Sequence, residues 1–419
     1  MSVPDIRFVW LNVHGGAFHK LLRLHDRLLA AGFSCETLIA VGPPHGLKLG
    51  LDVPGARAEE LAGRGVRLLP RAEVLKHADA TPAELTVADA HHDADLPRLM
   101  AATRARGGKT AQMATLLGDF CHHGAEHLLL QHPLTLFFEL DFNHTPESRT
   151  LAAAKGVHFT GNIFFEPTVN RLVNDYPDRE AFCARYALAP ARPLCLWLPN
   201  SLDARSETYA RVARAARQAG VNLLAKLHPW EYAFKKHGGA HPWGLSDASD
   251  RVWNVPAVDE TDGAWAYRFC DLALVRASAA ILELPFWEKP GALLPPTSYV
   301  RLVNAQARLV GRCFTHLPGR DEAAELAALF QNPPPAPTPA DYAAARARVR
   351  LDTTRDAYAQ TIDALRAILS APDTLPGPGS LAALRRMADP FVGLDFIRAL
   401  TPTRMVRYLA GRALRSVLP

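Results

Sequence analysis

The chain has 419 residues, 48% hydrophobic and 21% charged, with a formal net charge of +5. That length calls for two domains, and that balance excludes a disordered or fibrous chain. The charge is too dilute for a nucleic-acid binder and suits a phosphorylated substrate or an anionic membrane surface.

The six cysteines, Cys35, Cys121, Cys183, Cys195, Cys270 and Cys313, form no CxxC pair, so neither a zinc site nor a redox pair is expected. Several lie in apolar runs where a free thiol behaves as a small hydrophobe. No signal peptide is expected, because Met-Ser-Val-Pro-Asp leads straight into a strand. No apolar run approaches the roughly 20 residues that cross a bilayer. A cytoplasmic protein is the expectation.

Residues Ile6 to Val13 read as a first strand, followed by His14-Gly15-Gly16. An amphipathic helix spans Phe18 to Ala31, Gly32 closes it, and Phe33 to Ala40 is the next strand. This βαβ opening reads as half of a doubly wound fold. The Gly15-Gly16 turn lets backbone approach a ligand, but no GxGxxG or Walker pattern accompanies it. Residues 43–105 read as helices alternating with short strands, with His91-His92-Asp93 as a solvated loop. Gly107 to Met113 reads as a turn entering a helix, and Leu128 to Leu140 as strand-compatible. Val157 to Thr160 is the expected last strand of the first domain, and Gly161-Asn162 starts the crossing to the second.

The second half is more regular. Strands are expected at Leu194 to Leu198, Val221 to Leu227 and Val252 to Val255, with a helix from about Ser206 to Ala219. Asp271 to Val275 is a further strand, Arg276-Ala277-Ser278 its turn, and Ala279 to Trp287 a short helix capped by Ser278. Lys289-Pro290-Gly291 stops that helix, and Ala292 to Leu294 begins another strand. Polar residues therefore fall repeatedly at the carboxyl ends of strands, where open parallel sheets bind ligands. A helix start there offers backbone N–H groups to a phosphate. Pro333 to Pro339 is a stiff linker, a single helix follows at 341–369, and Pro372 to Gly379 is a second linker. The tail from Pro402 to Pro419 holds Arg404, Arg407, Arg412 and Arg415 and no acidic residue, among apolar partners that include Met405, Val406, Tyr408, Leu409 and Leu414. It reads as a basic amphipathic helix suited to an anionic membrane surface.

Four of these stretches, taken in order, resemble the CDP-glycerol glycerophosphotransferase family and the related capsule and teichoic-acid polymerases. Gly161-Asn162-Ile163-Phe164-Phe165-Glu166 is similar to a GNPxxD-type segment, and Leu196 to Pro199 to the strand that follows it. Leu224 to Pro229 ends in the family's Lys-x-His-Pro, and Asp271 to Pro290 is similar to its Asp-Tyr-Ser-Ser turn and closing Lys-Pro. The resemblance covers roughly residues 155–295. The departures are Ile163 for Pro, Glu166 for Asp, Asn200 after Pro199 where the family commonly has Thr, and Arg276-Ala277-Ser278-Ala279 where the family has Asp-Tyr-Ser-Ser.

The resemblance implies an α/β protein of GT-B architecture, in which two Rossmann-like domains face each other across a cleft. The expected divisions are an acceptor domain at 1–160, a nucleotide-donor domain at 161–332, a closing helix at 341–370 and a basic tail at 380–419. It implies a metal-independent transferase with no cofactor beyond a nucleotide-activated donor. A polysaccharide or lipid-linked acceptor would place it at the inner membrane face. His228 is the expected base or phosphate ligand and His14 a second base. Lys226, Arg276, Ser278, Ala279, Glu283 and Asn200 are expected at the donor, and Gly15, Gly16, Asn162 and Glu166 along the cleft. A sugar-nucleotide epimerase of the same architecture, or a non-catalytic envelope-assembly protein, fits the same residues.

Overall fold

The computed structural model describes residues 3–13, 15–41, 53, 55–89, 93–114, 122–143, 146–199, 208–227, 255–276, 278–295, 306–371, 378–400 and 402–417. Seven strands form a first sheet: β1 (Ile6–Trp10), β2 (Cys35–Val41), β3 (Val66–Pro70), β4 (Leu85–Asp89), β5 (Lys109–Met113), β6 (His127–Leu130) and β7 (Gly156–Phe159). Their order is β3-β2-β1-β4-β5-β6-β7, and every pairing is parallel. Five more form a second sheet: β8 (Leu194–Leu198), β9 (Asn222–Ala225), β10 (Leu272–Val275), β11 (Gly291–Leu293) and β12 (Phe314–His316). Their order is β12-β11-β10-β8-β9, again all parallel.

Burial on both faces explains why these segments are strands. In β1, Ile6, Phe8 and Trp10 join one core layer while Val9 joins the other. In β8, Leu194, Leu196 and Leu198 face one layer and Cys195 and Trp197 the other. Parallel strands covered on both sides read as continuous apolar runs, which is how both appear in the sequence. The strand order reverses between β1 and β4 in the first sheet and between β8 and β10 in the second. Those reversals open crevices at the carboxyl ends of the strands. At the first, Asp89 Oδ2 accepts from the N–H groups of Leu11 (3.0 Å) and Asn12 (3.2 Å) and fixes the loop after β1.

Several expected elements form differently. The segment Gly107 to Met113 is not a helix entry; it supplies β5, whose Thr110 and Gln112 are satisfied by Glu126 and by the His123 N–H. Of Leu128 to Leu140, only the start is strand. Pro133 turns the chain into the helix Leu134–Phe137 and a π-helical turn, Phe138–Asn143. Residues 252–254 of the strand expected at Val252 to Val255 lie outside the described residues.

The single closing helix is two, Pro339–Val349 and Ala357–Ser370, because each has its own N-cap. Thr338 caps the first in a reciprocal box with Asp341, and the Asp356 carboxylate accepts from Ala359 N–H at 2.8 Å in the second. The first helix packs on the second sheet's side, against the helix Ala307–Val310. The second returns to the first sheet, where Tyr358, Leu365 and Ile368 join the core of β1. The tail forms three helices, Leu381–Ala388, Leu394–Ala399 and Pro402–Val417. They cover Phe137 and Phe138 through Phe396 and Tyr408. No helix among the described residues is long and apolar enough to cross a membrane.

Candidate functional site

The two sheets meet through the segments that follow their strands. After β1 the chain enters the helix Gly15–Ala30, and Lys20 lies within its second turn. Lys20 Nζ donates to the carbonyl oxygens of Phe164 (2.6 Å) and Glu166 (2.5 Å) on the segment joining the two sheets. The same ammonium reaches Glu283 Oε1 at 3.3 Å, and Glu283 ends the short helix after β10. One buried side chain of the first sheet's layer thus ties together the connector and the second sheet's layer.

Lys226 follows β9, where its N–H extends the ladder to Trp197 O at 2.8 Å. Its side chain crosses the start of the helix Gly263–Phe269, with Nζ 5.5 Å from the centre of the Tyr267 ring. Gly263 makes room for it, since a Cβ there would stand 2.9 Å from Lys226 Cε. Glu283 and Glu260 are the carboxylates that stabilise this ammonium, and its own charge is felt at Lys20.

Burial pushes both lysines below the usual ammonium range, and the nearby carboxylates pull them back only in part. Lys20 thus pairs with Glu283 directly, and Lys226, from the other half of the molecule, lies within electrostatic reach of the same carboxylate. Positive charge from both halves is thereby gathered at the seam, with the three N–H donors of Lys20 taken by Phe164 O, Glu166 O and Glu283. His19, beside Lys20, has its pKa lowered to about 4 by burial and then by the Lys20 charge. Its Nε2 has no hydrogen-bond partner among the described residues. It is a neutral imidazole at pH 7.

The other residues expected at the site divide by what they touch. Ser278 Oγ accepts from the Ala280 N–H at 3.2 Å, and Ala279 precedes the helix Ala280–Glu283. That helix is one turn, continued by a 3-10 turn, Leu284–Phe286, because Pro285 lacks the N–H that would extend it. A dipole so short adds little to phosphate binding.

Arg276 is buried in a different direction. It donates to Pro295 O (2.7 Å) and Thr208 Oγ1 (3.2 Å) and pairs with Glu322 at 3.2 Å, an arrangement that ties β10 to its flanking helices. Asn162 Oδ1 accepts from Phe164 N–H at 2.8 Å, and its amide contacts Gln131. Glu166 pairs with Arg350, and its Oε1 accepts from Ala357 N–H at 2.9 Å. Gly161 has φ +66°, and a Cβ there would meet Arg350 Cγ at 3.2 Å and Ala357 Cβ at 3.3 Å. The Gly161–Glu166 stretch is therefore the seat on which the returning C-terminal helices rest. Gly15 and Gly16 begin the helix that carries Lys20. His14, Asn200 and His228 lie outside the described residues.

Sequence reasoning passed over Lys20, Glu260 and Arg350. Lys20 carried a readable signal. It falls with Ala17, Leu21, Leu24 and Leu28 on the apolar stripe of its helix, and a charge in such a stripe is either paired or functional. Glu260 and Arg350 carried none, because their partners are remote in sequence.

The chain matches no protein-family model and no curated protein. It is similar in structure to a UDP-N-acetylglucosamine 2-epimerase described from Listeria monocytogenes, with 12% identity, TM-score 0.54, and 90% of this chain and 99% of that one covered. It is also similar to the UDP-GlcNAc 2-epimerase from Neisseria meningitidis bound to UDP-GlcNAc, with 9% identity and TM-score 0.52 over 87% of this chain and all (100%) of the other. The wall teichoic acid polymerase TagF overlays with a TM-score of 0.49 and 11% identity, covering 87% of this chain and 89% of that one. With two all-parallel α/β sheets joined by one connector and by returning C-terminal helices, the chain has the GT-B fold.

Proposed function

We propose that this chain is a GT-B transferase that moves a sugar or polyol-phosphate unit from a CDP-, CMP- or UDP-linked donor to a cell-surface polysaccharide acceptor. The observation that supports the reading is the Lys20–Glu283 pair between the two sheets, with Lys226 within electrostatic reach of the same carboxylate. A nucleotide phosphate leaving from the donor needs positive charge that is already in place, and these two ammonium groups supply it without a metal. The acceptor hydroxyl needs a base. His228, two residues beyond Lys226, and His14, directly before the Lys20 helix, are the candidates. The Ser278 hydroxyl and Glu283 would orient the donor, with Glu283 also setting the charge balance of the lysine pair. Arg276, Asn162 and Glu166 act on the scaffold in this reading.

The test incubates the full chain with CDP-glycerol and with UDP-N-acetylhexosamine donors, with and without polysaccharide acceptors, and follows CMP and UDP release. Acceptor-dependent release is expected, and His228→Ala should lower it by about a hundredfold or more. Recovery of an altered sugar on an intact nucleotide would show an epimerase instead. Absence of both with every donor would favour a non-catalytic assembly protein.

A further inference from the structure

The helix Pro402–Val417 is fixed to the protein by one side and leaves an apolar stripe on the other. On the inner side, Tyr408 is 2% exposed, its hydroxyl donates to Asp389 Oδ1 at 2.7 Å, and its ring meets Phe137 edge-on at 5.4 Å. Met405 packs against the same core, and Arg412 Nη1 donates to Val392 O at 3.3 Å. On the outer side, Val406 is 64% exposed, Leu409 45% and Leu414 62%. With Ala410 and Ala413, also exposed, they follow the three- and four-residue spacing of one helix face. A surface helix ordinarily points that face inward. Here the sequence pattern and the packing are opposed, so the apolar stripe is left for something outside the chain.

We propose that this outer face is a docking surface for an anionic lipid bilayer, with Val406, Leu409 and Leu414 as the inserting side chains. The charge pattern selects lipid over a second copy of the chain. Among the described side chains of the helix, Arg407 is exposed and none is acidic, and the adjoining helix Leu381–Ala388 adds exposed Arg386 and Met387. A two-fold pairing of this helix with itself would set arginines against arginines. An anionic headgroup layer complements them, and a helix of this kind lies in the interface with its apolar face about 5–10 Å deep. Tyr408 and Met405, which an isolated tail would insert, are instead the anchors that hold the helix in orientation. The proposal extends the transferase reading without resting on it, because its assay requires no donor.

The experiment is co-sedimentation of the full chain with vesicles of phosphatidylglycerol plus phosphatidylcholine, and with phosphatidylcholine alone. Binding to the anionic vesicles is expected, falling as salt rises from about 0.1 M to about 0.5 M. Leu409→Asp with Leu414→Asp should weaken it at least about tenfold. Arg407→Ala should weaken it about fivefold, the equivalent of about 1 kcal/mol for one basic residue at such a surface. Both changes lie on the outer face, and unchanged circular dichroism confirms the fold. Wild-type binding in the Asp variant, or no binding by the native chain, overturns the proposal. A dimer in solution that the Asp variant dissociates, without vesicle binding, replaces it with self-association.

Discussion

Replacing Lys20 by Met tests whether the two halves are held by a single buried charge. The ammonium donates to two carbonyl oxygens at 2.6 and 2.5 Å and faces Glu283 at 3.3 Å, with side-chain exposures of 6% for Lys20 and 18% for Glu283. At an effective dielectric of about 20, the Lys20–Glu283 attraction alone is about 5 kcal/mol. The lowered pKa of Lys20 means that burial opposes most of that gain. Removing one partner leaves the other buried without its counter-charge, so Lys20→Met should cost on the order of 3–5 kcal/mol. Glu283→Gln should cost less, because Glu283 is the more exposed of the two. The double variant should cost less than the sum of the singles, with a coupling of about 1–3 kcal/mol. Urea unfolding of all four proteins at pH 7, followed by tryptophan fluorescence and circular dichroism, gives the cycle. Two probes are needed because the halves can unfold separately. A coupling under about 0.5 kcal/mol would refute the pairing and the site built on it.

Three other outcomes follow from further buried titratable and charged groups. His19, His127 and His132 each have a pKa lowered to about 4 from 6.5, by burial first, so the folded state binds fewer protons than the unfolded one. Their contribution is complete above pH 6.5 and is lost as pH falls toward 4; each should cost about 2 kcal/mol at pH 5 relative to pH 7.5. Urea midpoints that stay flat from pH 7.5 to 5 would contradict this. Glu166→Gln should loosen the C-terminal helices by about 2–4 kcal/mol, since it leaves Arg350 without its charge partner, and amide exchange in residues 357–370 should rise. If exchange there is unaltered, Glu166 does not seat those helices. Arg276→Met should lower thermal stability while leaving KM for the donor within about twofold, because the guanidinium is held by Pro295, Thr208 and Glu322. A KM rise of tenfold at unchanged stability would return Arg276 to the donor site.

The amino-acid sequence by itself determined where most strands of the second sheet lie. Leu194 to Leu198 is strand over the whole expected span, and Leu272–Val275 and Gly291–Leu293 fall within a residue of expectation. Strands buried on both faces must be continuously apolar, and Gly and Pro punctuate their ends, so the signal is local. Tertiary structure decided the rest. Lys-Thr-Ala-Gln-Met became β5 because Glu126 and the His123 backbone satisfy its polar side chains from outside the segment. Glu166 gives its carbonyl oxygen to Lys20 and its carboxylate to Arg350 and the Ala357 N–H, partners that lie well over a hundred residues away in sequence. Ser278 kept its capping bond, but Pro285 cut the helix that would have strengthened it. The tail's apolar residues were legible as a stripe, yet which side faces outward was set by Tyr408 finding Phe137 and Asp389. Periodicity records that a face is apolar; only the packed neighbours fix what that face meets.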